Sequence, residues 1–339
     1  MMEPRELWWG QVPAPVSQFN QIAYDLREGH SLVLDAGRMF WVDLMCEYLR
    51  QVVTEIDNAM PFERIDASSC PPDMLPDAFL FSCIGEEDRY GTQLLRTMML
   101  RNKPACLWVT GIPPAQYEAW IQMTAELMQE PSRMLLILDI PEHVRVPQCE
   151  RLASMGVWHS RFDVYYFALM QLSGMATDER RLEYAATLAT ELSGLDPVRC
   201  TQLCSVAEQL MQNPIHVADK LGCDVNSMQA VLRAQMRSFM PLVELCRMTL
   251  IDLLRHQLEN ALPFRSDMGQ TIGANEVDRV ELTHMIQMSN RGRIKLHSDL
   301  YGQIYNLREI RNQMAHLKML SNSDINMLLS IMDDLAQWQ

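Results

Sequence analysis

The residue types best suited to chemistry in this chain are crowded into Leu307-Arg308-Glu309-Ile310-Arg311-Asn312-Gln313-Met314-Ala315-His316-Leu317. Arg311 is followed at once by an amide, Asn312, and then by His316. A histidine exchanges protons near neutral pH, and a guanidinium steadies developing negative charge. Such a pair can cleave a phosphodiester without a metal, Arg311 holding the phosphorane charge and His316 acting as general acid or base. At about 100° per helical residue, Leu296, Leu300, Leu307, Ile310, Met314 and Leu317 form one apolar stripe. His297, Tyr301, Tyr305, Arg308, Arg311, Asn312 and His316 fall on the adjoining face, with Arg311 and His316 at its edges. That face can meet RNA, or it can form the polar seam between two protein bundles.

The elements expected to carry this helix are themselves helical. A long helix begins beyond Met240-Pro241, with Pro241 in its first turn, and runs to Leu262. A loop with Pro263, Gly269 and Gly273 follows, then helices at about 275–289, 293–317 and 323–338. Four helices with Arg-Asn-x-x-Ala-His near the end of the third resemble the HEPN family. The resemblance implies that two protomers bring their motifs together into an RNA-cleaving cleft, with Arg311, Asn312 and His316 as the catalytic set. It equally implies a structural use, in which Asn and His hydrogen-bond across a dimer seam without catalysis.

The first half of the chain reads differently. A helix over 17–28 precedes a strand at Ser31–Leu34, the loop Asp35-Ala36-Gly37-Arg38-Met39 and a helix over 38–54. Strands follow at 63–67, 78–84, Ala105–Thr110 and Met134–Asp139, with helices at 91–101 and 116–129. This alternation predicts a parallel sheet in a doubly wound α/β domain. The opening resembles P-loop NTPases of the AAA+ and STAND type. A phosphate loop, however, needs glycines and a lysine, and this loop offers one glycine, no lysine, no Ser or Thr for magnesium, and an aspartate. The acidic strand end at Asp139 sits on the fifth strand, and Gly85-Glu86-Glu87-Asp88 follows the third. The expectation is a degenerate NTPase-like scaffold without ATPase activity and with no bound cofactor.

The strand signal stops near Pro147. Residues 158–236 read as a helical lid-like domain, broken near Ser173-Gly174, residues 193–197 and Asn213-Pro214. Within it, 217–232 has helix-turn-helix spacing, but its second helix is nearly uncharged, which argues against DNA reading. The chain is therefore divided into 1–147 (degenerate AAA+/P-loop-like α/β), 148–236 (lid-like) and 237–339 (HEPN-like bundle).

Composition narrows the function classes. The net charge of −14 excludes a surface that tracks nucleic acid throughout. Residues 1–150 carry 22 acidic and 11 basic side chains, whereas 151–339 carry 21 and 18, so any RNA contact is expected to be C-terminal. The nine cysteines are spread singly and no His/Cys set has zinc-ligand spacing, so reduced thiols and no metal are expected. No hydrolase elbow, His-Glu-x-x-His or Gly-x-Gly-x-x-Gly is present. No apolar run is long enough to span a bilayer and no signal peptide is expected, so the reading is cytoplasmic. The whole resembles components of prokaryotic defence systems. It predicts a non-catalytic adaptor that forms a homodimer or a hetero-complex with other defence proteins. The alternative is a metal-independent endoribonuclease.

Overall fold

The computed structural model describes residues 2–71, 73–84 and 92–337. The chain divides into two compact units, residues 1–163 and 164–339.

The first unit is built on five parallel strands: β1 (Ser31–Leu34), β2 (Phe62–Asp66), β3 (Ala105–Thr110), β4 (Met134–Asp139) and β5 (Leu152–Met155), in the order β2-β3-β4-β1-β5. Strands β1, β3 and β4 lie inside the sheet and are buried along almost their whole length. That double-sided burial is why they are continuous apolar runs, as parallel strands covered on both faces must be. The packing includes Trp108 and Trp120, both fully buried.

Two strand expectations fail here. Residues 78–84 are not a strand; 78–83 lie in the helix Pro76–Cys83 and Ile84 is its C-cap. Pro76 fits the first turn, where no N–H is needed, and Asp77 follows it in that turn. Its carboxylate then meets Arg96 Nε at 2.6 Å from the helix Gln93–Asn102, inside the unit. The Gly85–Asp88 stretch expected to follow lies outside the described residues. The fifth strand of the sheet is instead β5, an edge strand with only Leu152 buried. It lies beyond residue 147, so the α/β unit extends past the expected boundary to 163.

The order places β1 between β4 and β5. From β1 the chain passes to the far edge at β2, walks back through β3 to β4, and then crosses β1 to reach β5. The segments leaving the C-terminal ends of β1 and β4 stay side by side, with Ala36 N–H donating to Asp139 Oδ1 and Glu142 N–H to Asp35 Oδ2. The register pairs Leu34 with Asp139, which brings Asp35 and Asp139 close together at the ends of these strands.

The second unit is helical apart from a two-stranded hairpin, β6 (Phe264–Arg265) with β7 (Thr271–Ile272). Its longest element is Ser227–Ala261, 35 residues, which contains Pro241 in its interior rather than at its start. Asn226 caps it, its side chain accepting from Gln229 N–H. The segment with helix-turn-helix spacing thus ends in the first turns of this long helix. The helix also runs through the expected boundary at 236/237, and the regions on either side belong to one compact unit. Among the described residues no helix is long and apolar enough to cross a membrane.

The C-terminal helices are Leu282–Asn290, the motif helix Ser298–Ala315 and Asn322–Ala336. The first starts later than expected because a short helical turn, Val277–Arg279, precedes it and Glu281 forms its capping box. The motif helix is shorter than 293–317 at both ends. His297 is its N-cap, and Leu317 leaves it with φ of 53°. The apolar stripe is corrected accordingly: Ile304 is fully buried, while Leu317 is 67% exposed.

Candidate functional site

The C-terminal end of the motif helix is closed by a Schellman turn. Lys318 N–H donates to Gln313 O at 2.9 Å and Leu317 N–H to Met314 O at 3.0 Å. Leu317 occupies the left-handed position that glycine usually takes in this turn. His316 is the C-cap, exposed, with its N–H donating to Asn312 O at 3.0 Å.

Arg311 is exposed on the last full turn. Its Nη2 lies 3.6 Å from Glu281 Oε2, the N-cap of the helix Leu282–Asn290. Close by, Arg247 binds Glu244 and also donates to the backbone oxygens of Asp278 and Val280 at 3.1 and 2.9 Å. This pairing with Arg247 holds the Glu244 carboxyl below its usual range, and Arg311 adds to the effect.

Arg308 is turned onto its own helix. Its guanidinium lies 4.4 Å from the Tyr305 ring centroid and donates to Glu309 at 2.6 Å. Tyr301 Oη donates to Asn290 Oδ1 at 3.2 Å, and His297 Nδ1 lies 3.5 Å from Asp299. Asn312 is half-buried. The polar residues of this face are thus parcelled out among separate contacts. Tyr305 and Arg308 are brought together, whereas Arg311 and His316, five residues and about 140° apart around a helix, are not. No hydrogen bond or ion pair joins those two among the described residues.

Beneath the Arg311–Glu281 pair is His284, 3% exposed. Its Nδ1 accepts from Glu281 N–H at 3.0 Å, so the ring is neutral in this arrangement. Burial pushes its pKa down, and the Glu281 charge opposes the shift only in part.

The second candidate, the loop after β1, is held by the chain's own carboxylates. Asp139 Oδ1 accepts from Ala36 N–H at 2.9 Å, and Asp35 Oδ2 accepts from Glu142 N–H at 3.3 Å. Arg38 pairs with Asp35 and with Glu142, both at 3.4 Å. Burial raises the Asp139 pKa, and the nearby Asp35 charge adds to the rise. The Ala36 amide is therefore committed to Asp139. No group of three or more His, Cys, Asp or Glu side chains is arranged to hold a metal among the described residues.

Glu281, Glu244, Arg247 and His284 were not legible as partners of the motif. Comparison with known family models gives no match, and comparison with curated proteins gives no relative.

Proposed function

We propose that the C-terminal helices form a HEPN-like docking module through which the chain pairs with itself or with a related bundle. The chain then serves as a non-catalytic scaffold of a prokaryotic antiphage defence or toxin-type complex in the cytoplasm. The observation that carries this reading is the contact between Arg311 and Glu281 at 3.6 Å. Arg308 likewise faces Glu309. The arginines that would meet a phosphodiester already stand against carboxylates, which favours a protein surface over a polyanion. The Asp139–Ala36 contact points the same way for the α/β unit, a degenerate P-loop-like scaffold in this reading, because a carboxylate fills the place a phosphate would need.

A second reading, a metal-independent endoribonuclease, draws on one further observation. Arg311 and His316 are both exposed at the same end of one helix, so a second copy could complete a cleft. Sedimentation of the full chain, with Asn312→Ala and His316→Ala beside it, separates the two. Docking predicts an assembly that both substitutions weaken alike. A chain that stays monomeric at high concentration sinks the docking reading. RNA cleavage in chelator that His316→Ala abolishes, with assembly intact, establishes the second.

A further inference from the structure

Gln235 lies in the third turn of the long helix, and only 3% of it is exposed. Its Oε1 accepts from Leu320 N–H at 2.8 Å, and its Nε2 donates to Leu320 O at 3.0 Å. A third contact reaches Tyr184 Oη at 3.4 Å, from the helix Glu179–Ser193. One side-chain amide thus satisfies both backbone groups of a residue 85 positions away. Leu320 is itself buried and lies in the turn between two helices, where no ladder would otherwise pair its backbone.

The turn leaves little slack. Leu317 and Lys318 are tied back to the motif helix by the Schellman bonds. Ser321 starts the last helix through a capping box with Asp324. Between these anchors Leu320 is held by Gln235 alone among the hydrogen bonds of the described residues, and only Met319 is left between the two fixed ends. His316 is the cap from which this turn departs.

We infer that Gln235 is a positioning residue for His316: its amide pins Leu320 and so sets how the motif histidine is presented at the end of its helix. The functional part of this inference rests on the docking reading; the positioning part does not. The chemistry demands glutamine. Glutamate keeps the acceptor but loses the donor, asparagine is one methylene short, and methionine matches the length but leaves both Leu320 groups unpaired.

The test uses the full chain with labelled histidine, carrying Gln235→Met or Gln235→Asn, which keeps the amide but sets it one methylene short. The ring carbon–proton resonance of His316 is followed at fixed pH, with exposed His256 of the same long helix as the internal control. Gln235→Met should move the His316 resonance, leave His256 in place, and weaken assembly roughly tenfold, the size of a coupling within one hydrogen-bond network. Gln235→Asn should move His316 in the same direction by less, and it serves if the methionine variant does not fold. Faster exchange of the Leu320 amide with an unmoved His316 resonance in either variant overturns the inference. A moved His316 with unchanged assembly upholds the positioning role and counts against docking through this face.

Discussion

Arg311 Nη2 stands 3.6 Å from Glu281 Oε2, joining the last turn of the motif helix to the N-cap of the helix beside it. Both side chains keep more than two-fifths of their surface in water, at 47% and 41%. A pair so exposed contributes at most about 1 kcal/mol to folding. Its main effect is on what the end of the helix offers a partner: a guanidinium whose charge is already balanced.

Arg311→Ala should therefore leave the stability of the isolated chain within about 1 kcal/mol of the parent in urea unfolding. Its effect should appear in assembly, as a weaker dimer or hetero-complex by sedimentation. A loss of several kcal/mol in folding would show that Arg311 is a core residue in all but exposure.

His284 makes the same corner sensitive to pH. Its folded pKa is lowered by burial, while the unfolded ring titrates near about 6.5. Between those values the unfolded chain binds the extra proton, so stability rises with pH. The stabilising neutral ring is fully in force above about 6.5 and is lost as pH falls through that value towards the lowered folded pKa. Urea midpoints should thus drop from pH 7.5 to pH 5.5, and His284→Gln should flatten that part of the profile. An equal drop in the variant would assign the effect to other groups.

How far the fold and the site could be read from sequence follows from what each contact depends on. Strands β1, β3 and β4 were legible because burial on both faces demands unbroken apolar runs. Strand β5 was not, since an edge strand with Leu152 alone buried has no such run. The short apolar segment after Pro76 fits helix or strand equally, and the buried Asp77–Arg96 pair, invisible in sequence, accompanies the helical outcome. Arg311, Asn312 and His316 could be placed together at the end of one helix from residue type and spacing. Glu281 and Gln235 could not, because their partners lie 30 and 85 positions away and meet them only through tertiary packing.

Asp139 gives a prediction for the α/β unit. Its pKa is raised by burial and by Asp35, so ionisation at neutral pH works against the fold. The sign is that of a carboxyl whose folded value exceeds its unfolded one: stability falls as pH rises through the interval between them. Asp139→Asn keeps an oxygen for Ala36 N–H and removes the charge, so its melting temperature should equal or exceed the parent's. Asp139→Ala orphans that N–H and should cost about 1–3 kcal/mol. Mg-ATP titrated into the parent should give no low-micromolar binding, because Ala36 N–H already serves Asp139. Low-micromolar binding would sink the degenerate-loop reading.

Leu317 separates folding from docking more cleanly than any charged residue. It holds φ of 53° with 67% of its surface exposed, beside the exposed His316. A non-glycine residue in the left-handed region costs on the order of 1–2 kcal/mol, and an exposed leucine recovers little by burial within its own chain. Leu317→Gly relieves that strain, while the added freedom of the unfolded chain takes back part of the gain. The isolated chain should come out more stable, by up to about 1 kcal/mol. If the end of the motif helix is a docking surface, the same substitution removes an apolar anchor and should weaken assembly. Opposite signs in thermal melting and in sedimentation are the expected result. A variant that is stabilised and assembles as well as the parent would show that Leu317 lies outside the interface.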